Sequence, residues 1–381
     1  MPPLSLYIHI PWCVQKCPYC DFNSHQIKSG VPENEYIAHL LDDLTHDLQW
    51  IKYDSALRSI GSIFIGGGTP SVFSPSGIEK ILNGIKQRVP VLENAEITME
   101  ANPGTVEAEK FEGFKQAGIN RISVGVQSFN TEHLRILGRI HDTRQARDAL
   151  SYAKRLGLNS YNADIMHGLP KQTLEQAMQD LSTAMKSDAP HISWYQLTIE
   201  PNTSFASKPP VLPDDDILWD IQQQGQALLS ANGYEQYEIS GYGLPEHRCQ
   251  HNLNYWRYGD YIGIGCGAHG KITDLNSGHI LRTEKVKHPK GYMDLSRSYL
   301  YKKHVVPKGD LAFEFFMNRF RLVEPCPIDD FEKLTFSKLS DKDQQTLNTA
   351  CDKGLVTQTR THWQVTDLGR RYLNTLLGEF V

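Results

Sequence analysis

Six short apolar segments, each followed by a helical pattern, constrain the fold of this chain more than any other feature. Residues 6–10, 62–65, 96–99, 121–126, 160–166 and 191–199 read as strands. Between the first two, Tyr36, Ile37, Leu40, Leu41, Leu44, Leu48 and Ile51 recur at the spacing of one helical face over 33–52. Further helical patterns cover about 76–88, a stretch ending near Gln116 with Gly118 as its stop, segments up to Gly157, and 173–186. Parallel strands need helical crossovers, so the alternation predicts an α/β fold with a parallel sheet, closed as a partial (β/α)6 barrel of the TIM type. The strands read as apolar runs without clean alternation, as expected of strands covered on both faces. In such barrels the active site lies at the C-terminal strand ends. Here those ends carry a cysteine loop, Gly66-Gly67-Gly68-Thr69-Pro70, Glu100 with Asn102, Gln127, Asp164 to Gly168, and Gln196 to Glu200. Six polar loops thus converge on one rim.

The cysteine loop directly follows the first strand: Cys13, Cys17 and Cys20 stand at C-x3-C-x2-C. Four thiolates would close a tetrahedral zinc site, whereas three leave a position open. An iron–sulfur cube held by three cysteines keeps one iron free for a reacting ligand. Zinc is the competing reading, with Cys249, His251, Cys266 or His269 as further donors. A disulfide framework is a weaker one, because seven cysteines in 381 residues are few and odd in number. The glycines of GGGTP would let backbone amides approach a ligand closely. Glu100, Gln127, Arg139 and Asp164 recur at or just after successive strand ends and are expected to contact that ligand.

The length allows two or three domains. We expect residues 1–205 to form the barrel, 206–305 a connecting region and 306–381 a C-terminal winged-helix-like domain. The connecting region holds a linker over 201–216, a helix over about 214–232, the stretch Cys249 to Trp256, and a glycine-rich apolar loop over 261–270. In the C-terminal unit, helices at 312–321, 328–334 and 341–353 precede a two-stranded wing at 355–358 and 363–366 and a last helix at 367–377. Winged helices often bind DNA, but the net charge is −5 and these helices show no basic stripe, so no nucleic-acid partner is expected. No run of 18 apolar residues exists for a membrane span, and the start of the chain lacks a signal-like pattern. A cytoplasmic location is the expectation.

The run Tyr7-x-His9-Ile10-Pro11-Trp12-Cys13, continued through Cys17, Cys20 and Phe22, resembles the radical S-adenosylmethionine (SAM) superfamily. Together with GGGTPS, MEANPG, GVQSF and HGLP it is similar to the oxygen-independent coproporphyrinogen III oxidase-like family. The resemblance runs from Leu4 to the C-terminal helix. It implies a [4Fe–4S] cluster on Cys13, Cys17 and Cys20, and SAM contacts at Tyr7, Tyr19, Gly67, Gly68, Thr69, Glu100, Gln127, Arg139 and Asp164. The decarboxylating members of the family carry a fourth cysteine two residues after the third, where this chain has Phe22, and a longer N-terminal segment. His251-Asn252-x-x-Tyr255 resembles a motif linked to haem binding in the family's haem-chaperone branch, and both side chains are competent axial ligands. A packed His–Tyr pair under the barrel is the alternative; Cys266 and His269 are further haem candidates.

The leading expectation is therefore a haem chaperone on a radical SAM scaffold, with no catalytic residue assigned. Its partners would be haem, haem-accepting apoproteins, an electron donor to the cluster, and a second copy in a homodimer. The alternative is a coproporphyrinogen III dehydrogenase that uses an adenosyl radical.

Overall fold

The computed structural model describes residues 1–28, 30–54, 56, 58–104 and 110–381. The six expected strands form its centre: β1 (Leu4–Ile10), β2 (Ile60–Gly67), β3 (Val91–Ala101), β4 (Arg121–Gln127), β5 (Ser160–His167) and β6 (His191–Gln196). They lie side by side in chain order, all parallel, with Leu6 opposite Ile63, Ile65 opposite Met99 and Asp164 opposite Ser193. Helices α1 (Glu33–Trp50), α2 (Pro75–Lys86), α3 (Phe111–Ala117), α4 (Thr131–Ile136), α5 (Thr143–Arg155) and α6 (Leu174–Lys186) make the crossovers. Capping boxes start α5 at Asp142 and α6 at Thr173, satisfying amide groups the helix cannot satisfy itself. The part of the third helical pattern over 105–109 lies outside the described residues.

The strands alternate more strictly than their sequence suggests. Leu4, Leu6, Ile8 and Ile10, with Ile63, Ile65, Ile97, Met99, Ile122 and Val124, join the large core packed against the helices. The intervening positions carry Ser5, Tyr7, His9, Glu96, Thr98, Glu100, Ser123, Asn162, Asp164, His191 and Tyr195. Successive side chains of a strand point to opposite faces, so these polar groups share the concave face. There they bond to one another, and Tyr195 on β6 reaches over β5 to Gln127 on β4. The expectation of strands apolar on both faces is therefore corrected: the inner face is a polar network.

The sheet is also wider than expected. The stretch expected as a glycine-rich loop, 261–270, holds most of β7 (Asp260–Ile264), which pairs parallel with the free edge of β1, and the start of β8 (His269–Thr273). Antiparallel β9 (Ile280–Lys285) and β10 (Leu300–Val305) follow. At the far edge Gly241–Gly243 runs antiparallel to β6, giving, with Glu235–Gln236, twelve strands among the described residues. Helix α7 (Asp215–Ala231) follows the 201–216 stretch, and α8 (Gln250–Trp256) carries the His251 motif.

The C-terminal part has its own core of Phe315, Phe316, Phe331, Trp363 and Phe380. A three-stranded sheet contains the wing, Val356–Gln358 against His362–Val365, with Cys326–Pro327 added at its side. The last helix breaks at Tyr372 into Asp367–Arg371 and Leu373–Gly378. Among the described residues no helix is long and apolar enough to cross a membrane.

Candidate functional site

The cysteine loop is held at the C-terminal end of β1 by backbone pairing. Trp12–Cys13 forms a short parallel ladder with His25–Gln26. The Gly68 and Thr69 amides donate to the carbonyls of Ile10 and Trp12, both at 2.7 Å. This stitching explains the glycines. A Cβ on Gly67, where φ is +115°, would lie 2.5 Å from the His9 ring, and one on Gly68 2.5 Å from the Trp12 oxygen. The glycines therefore admit the close approach of the chain's own cysteine loop.

All three loop cysteines are free thiols; Cys13 is buried, and Cys17 and Cys20 are half-buried. Burial raises the thiol pKa of Cys13 and of Cys20, and the neighbouring loop sulfurs add to the rise in both. A cationic metal centre reverses such a shift. Among the described residues no three His, Cys, Asp or Glu side chains converge as the ligands of one metal ion would. A cube does not require that convergence, because it takes each thiolate on a different iron. Arg139 adds a donor: its Nη1 lies 3.6 Å from the Cys17 sulfur, and its buried Nε has no partner. Three cysteines outside any disulfide with an adjacent buried cation fit a cluster that carries negatively charged sulfur.

Around this loop the strand ends bring polar groups together. Glu100 accepts from the Gly67 amide at 3.1 Å. Asp164 accepts from Ser123 and from Asn162, each at 2.8 Å. Gln127, held at φ +70°, accepts from the Tyr195 hydroxyl at 2.7 Å. Arg139 donates to Asn102 at 2.6 Å and to the Gly125 carbonyl at 2.8 Å, and Asn102 donates to Thr69 at 3.0 Å. Tyr7 bonds His9 at 3.0 Å, and His9 donates through Nε2 to the Asn23 carbonyl at 2.9 Å. Tyr19 packs on Phe205 with ring centres 6.4 Å apart. Tyr7, Tyr19, Gly67, Gly68, Thr69, Glu100, Gln127, Arg139 and Asp164 thus share one mouth with the cysteines. The sequence reading passed over His9, Asn23, Ser123, Asn162 and Tyr195; period-two polarity along the strands is the signal that marks four of them.

Burial, and then the charge of Asp164, push the Glu100 carboxyl up to about 8, against a smaller opposing pull from the Gly67 amide. The unfolded chain releases this proton at an ordinary glutamate pKa. Between about pH 4.5 and 8 the folded protein therefore holds a proton the unfolded chain lacks, and stability falls as pH rises through that window. The slope is up to about 1.4 kcal/mol per pH unit. Glu100→Gln should flatten this part of the profile and make the cluster-free protein more stable than wild type at pH 8, as read from denaturant midpoints. An unchanged profile would place the buried proton elsewhere.

His251 and Tyr255 do not join the mouth. They lie on α8, across the N-terminal ends of the strands. His251 is buried, bonds Ser62 at 3.0 Å and packs on Phe64 with ring centres 5.2 Å apart. Burial pushes its imidazole down to about 3, so it is neutral. Tyr255 packs against Trp256 and Tyr261. Of the aromatic residues near the motif, Tyr258 is committed to the C-terminal core beside Phe315. Cys266 is buried, its thiol 3.0 Å from the Lys287 carbonyl.

Comparison with known proteins accords with this geometry. Residues 7–184 match the family model of the radical SAM superfamily, and residues 306–372 match that of the HemN C-terminal domain. A protein named heme chaperone HemW from Haemophilus influenzae is 56% identical, covering all of this chain and 98% of the relative. One of the same name from Escherichia coli is 55% identical, covering all of this chain and 99% of the relative. The solved structure of coproporphyrinogen III oxidase (HemN) from Escherichia coli, described as a radical SAM enzyme, superposes with a TM-score of 0.81 at 24% identity. It covers all of this chain and 90% of that one, and shows the shared fold. With relatives this similar end to end, the chain belongs to the radical SAM superfamily and, within it, to the family of the HemW haem chaperones.

Proposed function

We propose that this protein binds haem and transfers it to acceptor apoproteins, on a scaffold that holds a [4Fe–4S] cluster and SAM. The observation that carries the reading is the 56% identity, over the whole chain, to a protein named heme chaperone. Superfamily membership implies the cluster and SAM. In this reading Cys13, Cys17 and Cys20 hold the cluster. Glu100, Gln127, Arg139, Asp164, Tyr7, Tyr19, Gly67, Gly68 and Thr69 line the SAM site. When bound, the cluster and SAM would supply reductive cleavage of a carbon–sulfur bond. The chain's own part would be to hold the ligand at the mouth through Glu100 and Asp164, with Arg139 beside the Cys17 sulfur. An electron donor to the cluster, a cytoplasmic location and a homodimer belong to the same proposal, as does the division at residues 205 and 305.

His251 is the proposed haem ligand, with Tyr255 on the same face one helical turn away. Phe22 supports transfer over synthesis: it stands on the cysteine loop 58% exposed, where the decarboxylating relatives carry cysteine. The purified protein should show a Soret band on addition of haem, and His251→Ala should shift or weaken it while leaving the cluster spectrum intact. Conversion of coproporphyrinogen III to protoporphyrinogen IX by the reconstituted protein with SAM would overturn the proposal in favour of the enzyme.

A further inference from the structure

Asp164 at the mouth and the helix of the His251 motif at the opposite end are joined by one unbroken line of hydrogen bonds. Ser123 and Asn162 both donate to Asp164 at 2.8 Å, and Asn162 donates to Ser123 at 2.7 Å. The Asn162 oxygen accepts from the Ser193 amide at 2.9 Å, which fixes the amide's orientation. That oxygen therefore also accepts from His191 Nδ1, 2.7 Å away. His191 is buried and neutral, so its Nε2 is left bare and accepts from the Tyr237 hydroxyl at 2.9 Å. Tyr237 in turn accepts from the amide of Cys249, the N-cap residue of α8, at 3.2 Å. Every donor in the line has one available direction. Glu96 completes the anchorage, accepting from the amides of Gln250 and His251 at 3.1 and 3.0 Å.

His251 is only 9% exposed, its ring packed on Phe64. A porphyrin is a rigid plate many atoms across, and full access of such a plate to a ring held by Ser62 and Phe64 requires α8 to shift from its seat. Leaving breaks the bond from Cys249 to Tyr237. A ligand that fixes Asp164 as an ionised acceptor strengthens the bonds from Ser123 and Asn162 and holds the rest of the line in place. We infer that His191 and Tyr237 are positioning residues that couple the two ends, so that SAM at the mouth opposes haem binding at α8. Release of the mouth ligand frees the helix. This inference rests on the function proposed above. By linkage haem must weaken SAM to the same degree.

The test is a haem titration of the cluster-reconstituted protein, followed anaerobically by the Soret band, with and without saturating SAM. Wild type should bind haem at least about fivefold more weakly with SAM present, the lower end of ordinary allosteric coupling. Tyr237→Phe, which removes one hydroxyl, should bring that ratio close to one while SAM affinity and the cluster spectrum stay as in wild type. His191→Leu should do the same, and His191→Gln, which can still donate to Asn162 and accept from Tyr237, should restore coupling. A wild-type ratio of one, tighter haem binding with SAM, or coupling that survives Tyr237→Phe would overturn the inference while leaving the proposed function standing. A wild-type protein with no haem affinity would instead defeat the proposed function itself.

Discussion

Replacing any one of Cys13, Cys17 and Cys20 by alanine should leave the anaerobically reconstituted protein without its brown chromophore and without stoichiometric iron and sulfide. Three thiolates are the fewest that hold a cube with one open iron, so the loss of one leaves two irons unligated. None of the other four cysteines is placed to substitute. The Cys266 thiol is spent on the Lys287 carbonyl, and burial pushes its pKa up to about 12. Cys249 donates its thiol to Glu96 at the far end of the strands. Cys326 lies in the C-terminal core, and Cys351 packs against that core. Alanine at any of these four should leave iron and sulfide content unchanged. A cluster that survives Cys13→Ala, or that is lost with Cys266→Ala, would show that the ligand set is different.

Lys285→Met should cost about 3–5 kcal/mol of stability, the usual penalty for breaking a buried ion pair from one side. Lys285 at the end of β9 is fully buried and lies 2.5 Å from Asp43, with Asp47 at 2.7 and 2.8 Å. Both carboxylates belong to α1, so this triad clamps the added strands to the barrel. Without the ammonium two buried carboxylates face each other. Asp43 also accepts from Tyr292 at 2.6 Å and from the Gly265 amide at 3.1 Å. Gly265 leads into Cys266, whose carbonyl accepts from Asn23 of the cysteine loop at 2.9 Å. The variant should therefore also lose its cluster faster on exposure to air. Combining Lys285→Met with Asp43→Asn and Asp47→Asn removes the uncompensated charge and should recover most of the loss in denaturant midpoint. A single-variant loss below about 1 kcal/mol would mean that water reaches the triad.

The parts legible in the sequence were those set by local periodicity and spacing. Six strands, their helices, the mouth and the three cysteines follow from patterns within short windows. The inner face of the barrel was hidden because Tyr7, Phe64 and Tyr195 are aromatic and blur the two-residue period into an apparent apolar run. The strand β7 was hidden by its own glycine, Gly263, and by Gly265 and Gly267 after it. They read as a loop, although a Cβ at Gly263 would strike the backbone of His269 at 1.9 Å. The triad of Asp43, Asp47 and Lys285 joins residues more than 230 positions apart, which no window spans. The seat of His251 was open for the same reason: its contacts come from Ser62 and Phe64, distant in the chain.

Haem transfer tests the central claim most directly. Reconstituted protein loaded with one equivalent of haem is mixed with an apo haem protein whose Soret band is resolved from its own, and the absorbance change is followed in time. The account predicts that the acceptor's band grows as the donor's falls, faster than from an unrelated haem-binding protein of similar affinity, and slower from His251→Ala. Haem that stays with the protein, or that leaves no faster than from the unrelated control, would contradict it.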